Sequence, residues 1–69
     1  MKPDQQKTLE WVVEFIAANG YAPTLREIRA GRNISSTSVV TTHLQKLVAA
    51  GAIKRTPNVA RSIVILAGQ

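Results

Sequence analysis

Four short hydrogen-bonding side chains, Ser38, Thr41, Thr42 and Gln45, fall close together in this chain. Groups of this size can reach base edges or phosphate oxygens of a nucleic acid at close range. Residues 37–51 read as a helix. With Val40 as the zero angle of a 3.6-residue wheel, Leu44, Leu47 and Val48 form its buried stripe, with His43 at the edge. Ser38, Thr42, Gln45 and Ala49 then point outward, and Thr37 and Thr41 lie beside Ser38. An ordinary surface helix would carry Glu and Lys there, and the plain alternative is a Thr-rich exposed helix with no partner.

The charges around this helix favour a polyanion. Nine Lys and Arg face four acids, for a formal net charge of +5. The acids are Asp4, Glu10, Glu14 and Glu27, so none follows Glu27, whereas Arg29, Arg32, Lys46, Lys54, Arg55 and Arg61 do. Such an asymmetry points to a basic surface.

Other chemistries find little support. There is no cysteine and one histidine, so neither a disulfide framework nor a thiolate metal site is available, and no metal or cofactor is expected. His43 has no Ser, Cys or carboxylate at a catalytic spacing, and there is no Gly-rich phosphate loop, so an enzyme is not expected. His43 precedes core Leu44 and reads as a half-buried structural or phosphate-contacting imidazole. The longest apolar run, residues 63–67, is too short to span a membrane, and the N-terminus lacks a signal peptide's apolar stretch. The expectation is a soluble cytoplasmic protein of a prokaryotic nucleoid, or one encoded by a phage and acting in its host.

The elements that must position these residues are legible in outline. Pro3 suits a helix's first turn. Leu9, Val12, Val13 and Ile16 recur at helical spacing, Trp11 and Phe15 widen the apolar side, and Gly20 closes the helix. Trp11 reads as core or core edge. Thr24-Leu25-Arg26-Glu27 has the form of a capping box, opening a short helix with Leu25 and Ile28 inward. Asn33 tolerates positive φ, Ile34 turns inward, and Ser35 or Ser36 caps the next helix. Ala52-Ile53-Lys54-Arg55 and residues 61–66 are strand candidates about the turn Thr56-Pro57-Asn58-Val59. One domain over residues 1–69 is expected: helices at about 3–19, 25–31 and 36–50, then a hairpin at about 52–66. The fold class is mainly α with a small β-hairpin (α+β), a three-helix winged helix-turn-helix.

Between about Gln5 and Leu66 the chain resembles the N-terminal DNA-binding domain of LexA-type repressors. The match is carried by Gly20-Tyr21-Ala22-Pro23-Thr24-Leu25-Arg26-Glu27-Ile28, by Ser35-Ser36-Thr37-Ser38-Val39, by His43-Leu44, and by Leu47 through Gly51 to Arg55. The resemblance implies binding to double-stranded operator DNA, with the third helix in the major groove and the hairpin on the backbone. It implies base reading by Ser38, Val39, Thr41 and Thr42. Phosphate contacts are expected from Arg26, Arg29, Ser36, Lys46, Lys54, Arg55 and Arg61. The self-cleaving peptidase half of such repressors is not expected here, and the expectation is a stand-alone domain resembling a small phage or mobile-element regulator. Gly31-Arg32-Asn33 departs from the family's usual small or apolar pair and Gly, and the Arg32 stem is expected to pack with its head reaching solvent or phosphate.

The reading is a sequence-preferring duplex-DNA binder and small transcriptional regulator. The alternative is a protein-interaction winged helix docking on a repressor, polymerase or replication protein. Trp11, Val13 and Phe15 would anchor such a partner or a weak homodimer. For Phe15 the rival expectation is that it folds onto the hairpin.

Overall fold

The computed structural model describes residues 3–66. Three helices, α1 (Pro3–Asn19), α2 (Leu25–Gly31) and α3 (Thr37–Ala49), precede strands β1 (Ile53–Lys54) and β2 (Val64–Ile65). The strands pair antiparallel, with Ile53 opposite Ile65 and Lys54 opposite Val64. This is an α+β winged helix-turn-helix.

Local chemistry sets the helix ends. Gly20 takes φ 79° and donates its N–H to Ile16 O at 2.8 Å, which turns the chain out of α1. The expected capping box opens α2: Glu27 N–H donates to Thr24 Oγ1 at 3.2 Å, and Thr24 N–H donates to Glu27 Oε1 at 2.8 Å. Asn33 adopts φ 55° in the turn between α2 and α3, and Ser36, rather than Ser35, caps α3 by accepting from Val39 N–H. Gly51 at φ 77° releases the chain toward β1.

Helix α3 packs against α1, α2 and β1, which places its inner stripe at the centre of the core. Leu9, Val12, Ile28, Val40, Leu44, Leu47, Ile53 and Ile63 are buried together, with Trp11, Ile16, Leu25, Ile34 and Ile65 against them. Each fully buried Leu, Ile or Val contributes roughly 1.5–3 kcal/mol of transfer free energy.

Two expectations need correction. Val48 is 41% exposed rather than buried. It sits some 80° round the wheel from Val40 at 100° per residue, beyond the narrow arc that holds Leu44 and Leu47. The hairpin spans residues 53–65, but its strands are shorter than the candidates 52–55 and 61–66, and Arg61 at φ 56° leaves the extended region. Its loop closes instead through Ser62, which accepts from Thr56 N–H and donates to Thr56 O. Phe15 joins an aromatic cluster. Its ring lies 5.3 Å from Trp11 and 5.8 Å from Tyr21, linking α1 to the connector before α2.

Trp11 explains the unusual Gly31. A Cβ at Gly31 would collide with the Trp11 indole, so the last residue of α2 lets the ring lie flat between α1 and α2. Trp11 is therefore core edge, whereas Val13 stays 40% exposed.

Candidate nucleic-acid interface

The outward face of α3 stands as a ridge between two grooves. Ser38, Thr42, Gln45 and Ala49 are all exposed along it. One groove lies between α3 and the wing, lined by Thr41, Gln45 and Val48 of α3, by Arg26 of α2, and by Arg55, Asn58 and Ser62 of the wing. The other lies between α3 and the first turn of α1, lined by Ser38, Val39, Thr42, His43, Lys46, Asp4 and Gln5.

The hydroxyls on the ridge are already oriented. Thr42 Oγ1 donates to Ser38 O and Thr41 Oγ1 donates to Thr37 O, each at 3.0 Å. This bond uses the one hydroxyl proton and leaves oxygen lone pairs available. A Thr held so presents an acceptor, suited to the amino groups of adenine or cytosine, and a methyl, suited to thymine. Val39, 39% exposed, adds further methyls on the α1 side.

The cations expected at phosphates divide into groups. Arg26 and Arg55 line the wing-side groove, and Lys46 lines the other. Lys54 is exposed on β1 and lines neither groove. Arg29 donates to Ser35 O at 3.2 Å, bracing the turn before α3, and Ser36 is occupied as its cap. Arg61 is engaged within the protein. Its Nη1 donates to Ala22 O and Glu27 Oε1, both at 2.9 Å, and its Nη2 donates to Glu27 Oε2 at 3.3 Å. The guanidinium also lies 4.6 Å from the Tyr21 ring centroid. Arg61 thus ties the wing to the start of α2. Glu27 is held below the ordinary carboxylate range, first by the Thr24 N–H and then by Arg61.

Arg32 is half-buried and its head folds onto the first turns of α1. Its Nε donates to Thr8 Oγ1 at 3.2 Å and its Nη2 donates to Asp4 O at 3.3 Å. Thr8 is fully buried and also meets His43 Nδ1 at 3.1 Å. Thr8 and Gln5 were missed as inward residues because both are polar. Their positions continue the stripe of Leu9, Val12 and Ile16 back by one turn, and periodicity alone would have included them.

Residues 1–62 match the family described as the LexA DNA binding domain. The chain belongs to that family. It is 44% identical over 66 residues to LexA repressor 1 of Geobacter sulfurreducens, covering 96% of this chain and 33% of the relative. With the LexA repressor of Ligilactobacillus salivarius the identity is 45% over 65 residues, covering 93% and 32%. With that of Herpetosiphon aurantiacus it is 42% over 62 residues, covering 90% and 29%. The chain therefore spans about a third of the length of these curated relatives. No helix among the described residues is long and apolar enough to cross a membrane.

Proposed function

We propose that this LexA-type domain binds duplex DNA with sequence preference and acts in transcriptional repression. In this reading α3 enters the major groove. The observation that carries it is the ridge of Ser38, Thr42 and Gln45 standing between two grooves that hold Arg26, Arg55 and Lys46. A helix with its side chains is about 10–12 Å across, and the major groove is about 12 Å wide with a phosphate backbone on each side. The ridge would meet base edges while the flanking grooves face the two backbones. Ser38, Val39, Thr41 and Thr42 read bases, and Arg26, Arg55, Lys46 and Lys54 meet phosphates. Arg29, Ser36 and Arg61 act one step back, by holding the turn, the cap and the wing. The relatives are named repressors, which supports the regulatory half of the reading.

The test is selection of duplexes from a random pool, followed by affinity measurement for the preferred site. Ser38→Ala and Thr42→Ala should change the selected sequence and cost roughly 1–3 kcal/mol on the best site. Unchanged preference in both variants would remove α3 as the reading element. Single strands should bind more weakly than duplex, because no exposed aromatic platform lies on the ridge.

A further inference from the structure

The groove between α3 and α1 holds two polar side chains with no role in the proposed DNA contacts, Gln5 and His43, beside Lys46, which has one. Gln5 lines it and is only 6% exposed. Lys46 lines it from α3. The groove also borders the first turn of α1, a 17-residue helix whose leading N–H groups have no intrahelical acceptor.

His43 completes the set and is tied to α1 through Thr8. Thr8 Oγ1 meets three groups: Asp4 O at 3.1 Å, His43 Nδ1 at 3.1 Å, and Arg32 Nε, which donates at 3.2 Å. The Thr8–His43 contact suits either tautomer of the neutral ring. Protonation places a hydrogen on both ring nitrogens and adds a positive charge, so Nε2–H can then donate to a phosphate oxygen while Nδ1–H donates to Thr8 Oγ1. The charged groups around the ring are Asp4 from α1, Arg32 from the turn after α2, and Lys46 on α3 itself.

We propose that this groove seats a backbone phosphate of duplex DNA, held by Lys46, the Gln5 carboxamide and protonated His43, so that DNA affinity rises as pH falls. The proposal rests on the DNA-binding reading. Asp4 opposes the phosphate and sets a limit on the seat's strength. His43 is the only histidine and there is no cysteine, so a pH effect of this kind has one candidate side chain.

The probe is a labelled mixed-sequence duplex, titrated with the full chain at fixed low salt from about pH 8 to about pH 5.5. Wild type should tighten several-fold, with a ceiling of about tenfold per pH unit for one proton taken up. His43→Asn keeps an N–H donor for Thr8 but removes Nε2, and it should bind at low pH no better than wild type at high pH. Arg55→Ala should weaken binding at every pH and keep the rise. On the wild-type protein, the NMR titration midpoint of the His43 ring should move upward when DNA is added, which is the same coupling read from the other side. This last measurement needs no variant to fold. A rise that survives His43→Asn, or a midpoint that DNA does not move, overturns the seat while duplex binding itself stands. Wild type that binds no duplex at any pH overturns the DNA reading and the seat together.

Discussion

The groove between α3 and the wing and the groove between α3 and the start of α1 share a wall and differ in the wall opposite. On the wing side that wall is a loop joining two-residue strands, tied to α2 by the Arg61–Glu27 pair, whose side chains are 41% and 37% exposed. Its charges are Arg26 and Arg55, which are permanent. On the α1 side the wall is the first turn of a long helix, fixed by the buried Thr8 hydroxyl and its bonds to Arg32 and His43. Its charges are one lysine, one acid and an imidazole. We expect the wing side, a loop wall with permanent charge, to be the more adjustable in shape, and the α1 side, a helix wall with an imidazole among its charges, to be the firmer. In the proposed reading each wall faces one DNA backbone.

The sharpest way to break the fixed side is Gly31→Ala. The added Cβ meets the Trp11 indole, and an indole cannot swing aside as the tip of a lysine can. We expect a loss of about 1–3 kcal/mol from overpacking, which in a domain of this size lowers Tm by roughly 4–8 °C per kcal/mol. Thermal unfolding followed by circular dichroism reads it. An unchanged Tm would mean that α1 is not seated by this contact, and the contrast between the two walls would weaken.

A smaller effect compares the two sides directly. Arg55→Ala and Lys46→Ala each remove one cation, one from each groove. If each groove faces a backbone, each change should lower the slope of log affinity against log salt by roughly one unit on any duplex. A reduced slope for Arg55→Ala with none for Lys46→Ala would confine the backbone contact to the wing side.

The sequence made these two sides unequally legible. Elements governed by local chemistry were readable: the Thr24–Glu27 capping box, Gly20 and Asn33 at positive φ, and the outward ridge of α3 all follow from residue type and spacing. Of the wing-side groove, Arg26 and Arg55 could be named from charge alone. The α1 side stayed hidden because its parts are distant in sequence. Thr8 meets His43 across 35 positions and Arg32 across 24, and no local pattern pairs them. Arg61 carried the same difficulty in reverse. Its charge suggested phosphate, but an acid 34 positions earlier holds it. Gly31 looked like an irregularity, and its reason is the Trp11 ring of another helix.

The smallest expected effect separates the two sides by acid. Glu27 titrates below its ordinary value of 4.5 in the folded domain, because Thr24 N–H and then Arg61 favour the carboxylate. A carboxyl group with a lowered folded value stabilises the fold fully above its unfolded value, and that contribution fades as pH falls through the folded one. The window therefore opens near pH 4.5 and extends below it. The pair is exposed to solvent, so the effect on global stability should be small and should shrink with added salt. Its local effect should be clearer. Protonated Glu27 loses both its cap and its hold on Arg61, so wing amides should exchange faster with solvent in this window than those of α1 and α3. Glu27→Gln should show fast wing exchange already at neutral pH and little further change on acidification. Equal acceleration in the wing and in α1 would show that the wing opens only with the whole domain, and the division into an adjustable wall and a fixed one would then fail.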